Sequence, residues 1–148
     1  MQQHFTASHD SHALPVMPGS LVIEGMAQSA GILVGHAGAF KEKVVLAKVS
    51  KVELAADATP GSTLRYTATL TQRTHQGAAT NGLVELRGPR DETFKQIGTI
   101  NLVFSHLDNN AAGTEYPEHN FVFGDTFKDV LRTSGIDPDA VTPLPIES

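Results

Sequence analysis

Glu24 is the one charged side chain in the apolar stretch from Val16 to Phe40, and Gln28 follows it one helical turn later on the same face. Burying a carboxyl group is costly unless it is partnered, and desolvation lifts its pKa toward neutrality. A carboxyl poised in that way can deliver or accept a proton at physiological pH, so Glu24 is a candidate acid or base. The alternative is a structural acid held by backbone amides or by a second copy of the chain. Gly19 opens the same stretch behind Pro18. Unclaimed N–H groups at a helix start stabilise negative charge, a developing oxyanion included, and glycine lets a ligand approach them. Three histidines, His4, His9 and His12, fall within nine residues. The His-x-x-His spacing of His9 and His12 could suggest a metal, but no third strong ligand sits nearby in sequence, so no metal is expected. A surface segment, or one histidine facing Glu24 in acid–base work, fits the spacing better.

These groups need elements to position them. Pro15 and Pro18 hold Val16 and Met17 extended, and residues 19–38 predict a helix with Ser20 as candidate N-cap and Gly38 closing the far end. The helix is apolar nearly all round, so other structure should wrap it. The period then changes from helical to alternating. Strands are expected over Val44–Leu54, with a bulge at Ser50-Lys51 where the alternation slips, and over Leu64–Thr71, Ala78–Leu86 and Thr93–Ser105. Short turns between them suggest an antiparallel meander, and one buried helix on one antiparallel sheet is an α+β domain. Composition shifts at residue 109. Residues 1–108 form the expected domain, and residues 109–148 an acidic extension. Within it Asp125 should cap a short amphipathic helix, to Ser134, that docks Phe127, Val130 and Leu131 onto the body. Three prolines follow in a draped tail.

Composition narrows the classes. The chain has 148 residues, is 40% hydrophobic and 18% charged, and has no cysteine, so it can bury a core without disulfides, thiolate metal sites or a Cys nucleophile. Its net charge of −5 is uneven. Nine Lys/Arg stand against eight Asp/Glu through residue 107, then two against eight. With aromatics at 6% and no Trp, nucleic-acid binding is not expected. Lys41, Lys43, Lys48 and Lys51 form one basic cluster, read either as a solvated strand edge or as a docking patch for an acidic partner. The long apolar stretch is broken by Pro18, Glu24, Gln28, His36 and five glycines, so no membrane span is expected. The first residues have no apolar signal-like core, and a cytoplasmic location follows as an expectation.

The run PVMPGSLVIEGMAQ, Pro15 to Gln28, closely resembles the helix motif of the (3R)-hydroxyacyl-acyl-carrier-protein dehydratases of fatty acid synthesis. The layout of strands agrees with that family through about Phe104. The resemblance implies a hotdog fold, in which a long central helix is wrapped by a curved antiparallel sheet, here N-terminally shortened. It implies two chains sharing each active site, as a homodimer or higher homo-oligomer, with no metal or organic cofactor. It implies removal of water from a 3-hydroxyacyl thioester, carried by acyl carrier protein or coenzyme A, to give a trans-2-enoyl thioester. Glu24 then matches the catalytic carboxylate, Gln28 the glutamine after it, and Gly19 the helix-start glycine whose N–H would bind the thioester carbonyl. The family's histidine normally stands five residues before the first proline, where this chain has Asp10. His9 serves if the loop holds one extra residue, and His12 if it is shortened. His4-Phe5 copies the family's His-Phe pair but needs a longer insertion.

Chemistry and resemblance agree. Elimination of water needs a base for the proton beside the thioester, an acid for the departing hydroxyl, and charge stabilisation at the thioester oxygen. Histidine, Glu24 and the helix start supply these. Val22, Met26, Leu33 and Val34 could line an acyl-chain site, or be ordinary core. Two other readings remain open on sequence. One is a hotdog thioesterase or coenzyme A-linked hydratase, which would use Glu24 or Asp10 without needing histidine. The other is a non-catalytic acyl-binding subunit.

Overall fold

A computed structural model describes residues 15–107, 119–120 and 122–146. The element order is α1 (Gly19–Ala37), β1 (Val44–Leu54), β2 (Thr63–Arg73), β3 (Gly77–Arg87), β4 (Lys95–His106) and α2 (Asp125–Thr133). The strands form one antiparallel sheet in the order β1-β4-β3-β2. Only β2, β3 and β4 make a meander. The expected fourth neighbour is displaced, because β1 crosses to the far side and pairs with β4 instead of β2. The Ser50 bulge is present, between Val49 and Lys51, and a second register shift falls between Leu46 and Lys48. Each extra residue bends the strand and increases its twist.

Helix α1 lies on one face of this sheet. Val22, Met26, Ala30 and Val34 recur every four residues and are all buried, so they form the stripe that meets the sheet. Opposite them are Val84, Ile100, Leu102 and Phe104 from the central strands. Gly25 permits the close approach: a Cβ there would lie 2.6 Å from the Tyr66 ring of β2. Wrapping is one-sided within a single chain. Gly19, Glu24, Gln28 and His36 are exposed.

The helix ends differ from the sequence reading. Pro18 occupies the N-cap position and no side chain caps α1, so Ser20 sits inside the first turn. Proline suits this boundary because it has no N–H to leave unpaired. Gly38 is the C-cap residue but keeps φ −95°; the left-handed positions are Ala39 (φ 53°) and Phe40 (φ 56°). The Phe40 N–H closes the end by donating to Gly35 O at 2.7 Å. In α2 the N-cap is Gly124, with Asp125 the first helical residue, where its charge favours the helix dipole. Of the three α2 residues expected to dock, Leu131 is buried and Phe127 half-buried, but Val130 is 58% exposed. Val130 stands at the solvent edge of the stripe, about 60° round the helix from Phe127 on the side away from Leu131.

The C-terminal extension is bound to the body. Asn120 Nδ2 donates to Phe40 O (3.0 Å) and Glu42 O (3.1 Å), while its Oδ1 accepts from the N–H groups of Val122 (3.1 Å) and Phe123 (3.0 Å). Farther on, the Leu144 N–H donates to Ala37 O at 2.9 Å and Leu144 O accepts from Arg73 Nη1 at 2.7 Å. The basic cluster is smaller than its sequence suggested, since Lys43 is buried and Lys51 pairs with Glu53 at 3.1 Å. Among the described residues no helix is long and apolar enough to cross a membrane.

Candidate functional site

Glu24 and Gln28 lie on the flank of α1 that turns away from the sheet. Two positions along a helix rotate a side chain by roughly 200°, so residues 24 and 28 cannot share the face of Val22 and Met26. The expected burial of Glu24 is therefore absent within one chain: its side chain is exposed. Its carboxylate is nevertheless held. Gln28 Nε2 donates to Glu24 Oε1 at 3.0 Å, which fixes one oxygen and leaves the other open to a ligand.

This pair forms the polar corner of a groove of about 490 Å³. Ala27, Gly31 and Ile32 continue the helix side of the groove, and Val44, Leu46 and Phe104 form the sheet side. Val122, Phe123 and Phe127 from the C-terminal extension close its remaining wall. The volume lies within the range of small-molecule sites, roughly 300–1,000 Å³, and the lining has their usual make-up, apolar with a few placed polar groups. Glu24 and Gln28 are the only residues of that lining with polar side chains.

The other sequence-proposed residues are distributed unevenly. Gly19 is exposed at the uncapped start of α1, about 7.5 Å of helix rise from Glu24. Its position is fixed by the extended segment before it, where the Met17 N–H donates to Ala58 O at 2.8 Å. Val22 and Met26, proposed as substrate contacts, are instead buried against the sheet, 4% and 0% exposed, and do not line the groove. Val34 is buried in the same stripe. The apolar groove lining comes from the neighbouring face, Ala27, Gly31 and Ile32, a distinction that an all-round apolar helix conceals in sequence. His4, His9, Asp10 and His12 lie outside the described residues.

Sequence reasoning missed two features. One is the aromatic wall of Phe123 and Phe127, for which a signal existed: three of the seven phenylalanines fall within residues 121–127. The other is a buried ionic cluster at the far end of α1. Arg73 Nη2 and His106 Nε2 both approach Glu42 Oε2, at 3.3 and 3.4 Å, and His106 Nδ1 lies 3.2 Å from His75 O. It anchors the tail and does not line the groove. On the outer side of the sheet the Arg65 guanidinium makes two 2.7 Å hydrogen bonds to Glu85 and holds its carboxyl below the usual range. Burial pushes the Tyr66 hydroxyl pKa up. Among the described residues no group of three or more His, Cys, Asp or Glu side chains is placed to hold a metal ion.

Comparison with known proteins places this geometry. Residues 1–91 match the model of the FabA-like domain. The chain is similar to 3-hydroxyacyl-acyl-carrier-protein dehydratase FabZ of Streptococcus pyogenes serotype M3, with 35% identity over 101 residues, 68% of this chain and 69% of that protein. Its fold is similar to a hexameric thioesterase from Yersinia pestis, with a TM-score of 0.60 and 14% identity over 80% of this chain and 90% of that one. An acyl-CoA hydrolase from Bacillus cereus gives 0.58 and 12% identity over 81% and 71%. At such identities the structural likenesses speak to the fold alone, and the fold is the hotdog arrangement that the sequence motif implied.

Proposed function

The chain belongs to the FabA-like domain family, and from that membership we propose that it dehydrates 3-hydroxyacyl thioesters, carried by acyl carrier protein, to trans-2-enoyl thioesters in fatty acid synthesis. The observation that carries this reading is Glu24, held by Gln28 at the polar corner of an otherwise apolar groove. The acyl chain lies in the groove with its 3-hydroxyl toward Glu24. A histidine takes the proton from C2, and the electron pair of that C–H bond becomes the C2–C3 double bond. As the C3–O bond breaks, the Glu24 carboxyl gives its proton to the departing oxygen, which leaves as water. The open N–H groups at the start of α1, at Gly19, face the negative charge that grows on the thioester oxygen.

His9 is the first choice for the base and His12 the second, contributed by a second copy of the chain. That pairing also answers the exposure of Glu24, since a second chain laid over this flank would exclude water and lift the carboxyl toward the pKa that proton donation needs. Edge strand β1 supports an association, because Leu46, Val49 and Val52 are each about 40% exposed on it. A homodimer or a larger homo-oligomer built from dimers follows.

Product analysis tests the reading. Incubation with a 3-hydroxyacyl thioester yields an enoyl thioester of the parent mass less one water. Release of a free thiol would replace the dehydratase reading by a hydrolase, and neither product with retained binding would leave an acyl-binding subunit.

A further inference from the structure

We infer that the C-terminal extension is the length gauge of the acyl groove, with Phe127 as its end stop; this rests on the groove being the acyl site of the reaction proposed above. The wall is built, not incidental. Asn120 saturates all four of its amide hydrogen-bonding positions, two toward the carbonyls of Phe40 and Glu42 and two toward the N–H groups of Val122 and Phe123. That staple fixes where Phe123 enters. The far end of its ring then reaches α1 at Gly35, where a Cβ would approach within 2.4 Å, so glycine is what admits it. Phe40, turned into this position by a left-handed backbone rarely adopted by a bulky residue, meets Phe123 edge-on at 5.3 Å. Phe127 packs on both rings, 5.1 Å from Phe123 and 6.2 Å from Phe40, and lines the groove while half-buried.

Along α1 the groove lining runs from Glu24 to Ile32, and the aromatic wall stands at Gly35. The distance from the carboxylate to that wall is therefore about 16 Å of helix rise, eleven residues at about 1.5 Å each. An extended alkyl chain advances about 1.25 Å per carbon, from a C–C bond of about 1.5 Å. About ten to thirteen carbons beyond the reacting centre fit before the chain meets Phe127 and Phe123, the lower figure from the rise to Ile32 and the upper from the rise to Gly35. Longer chains must bend out of the groove or displace the extension. The body alone would leave this end open, so the extension sets a limit that the sheet and α1 do not.

The test is binding, which does not depend on turnover. Saturated acyl-coenzyme A thioesters of 4 to 18 carbons carry no 3-hydroxyl and are titrated calorimetrically against the full chain. Affinity should rise with length, then fall at least tenfold by 18 carbons. Phe127→Ala should restore the longest ligands by tenfold or more and leave the 6-carbon ligand within twofold. Phe127→Trp should move the fall to shorter chains. Loosening of the fold alone would not shift the limit in opposite directions. Asn120→Ala, acting through the staple, should blunt the limit without abolishing binding. Affinity that keeps rising through 18 carbons, or a limit that neither Phe127 variant moves, overturns the inference. Dehydration of short 3-hydroxyacyl thioesters is assayed in parallel. Turnover with an unmoved limit removes only the gauge, and a moved limit without turnover removes only the dehydratase reading. Binding at no length removes the gauge as well.

Discussion

Phe123→Ala is the substitution that asks whether the C-terminal extension is part of the folded core. The ring is 5% exposed, lies on Gly35 and packs edge-on against Phe40 and tilted against Phe127. Truncating a buried phenylalanine removes its transfer free energy and leaves a cavity, together about 3–5 kcal/mol. For a chain of this length a destabilisation of about 1 kcal/mol lowers Tm by roughly 3 °C, so a fall of roughly 10 °C is expected. If the body folds by itself, the loss cannot exceed the free energy of docking the extension. In that case the transition would split, and hydrogen exchange over residues 122–146 would rise before the strands melt. Urea unfolding followed by circular dichroism, with exchange read by mass spectrometry, distinguishes the two outcomes. Val130→Ala is the control: at 58% exposure it should change stability by less than about 0.5 kcal/mol. A Phe123→Ala protein within about 1 kcal/mol of the parent, with unchanged exchange in the extension, would refute the packing described.

Glu42→Gln should destabilise by about 2–3 kcal/mol, because it leaves Arg73 and His106 buried without their shared carboxylate; Glu53→Gln, at an exposed pair with Lys51, should cost less than about 0.5 kcal/mol, both read by urea unfolding. Gly25→Ala places a methyl on the Tyr66 ring and should cost about 1–3 kcal/mol, and a double-mutant cycle with Tyr66→Ala should recover part of it. The Glu85 and Asp139 carboxyls are depressed by Arg65 and Arg132, so their pairs stabilise the fold at neutral pH. That contribution is fully present above the ordinary carboxylate values of 4.5 and 3.8 and is lost as the pH falls below them; Arg65→Ala should flatten the acid limb of a Tm–pH curve. His9→Ala should abolish most dehydration and His12→Ala less; the reverse order would move the base to His12.

The helix and the strands were legible because their periods are clean. Val44–Leu54 alternates up to a slip at Ser50, and the bulge stands at that slip. Strand order was not legible, since short turns say which strands follow each other and not that β1 crosses to pair with β4. At the site, Glu24 and Gln28 stood out as polar residues on an apolar helix. Which apolar face served the sheet and which the groove did not, because Val22 and Ala27 look alike until the sheet chooses one of them. The aromatic wall was hidden for a related reason. It depends on Phe123 meeting Gly35, 88 positions away, a contact that no local pattern announces.

The central claim is that Glu24 supplies the proton that lets water leave. Its most direct test is the dehydration rate of Glu24→Gln on a 3-hydroxyacyl thioester, beside the parent and with matched Tm. The amide keeps the shape and can still hydrogen-bond to Gln28, but it has no proton to give. Turnover should fall by roughly a hundredfold or more while acyl-coenzyme A binding stays within a few-fold. A Glu24→Gln protein that releases enoyl thioester at the parent rate would contradict the account.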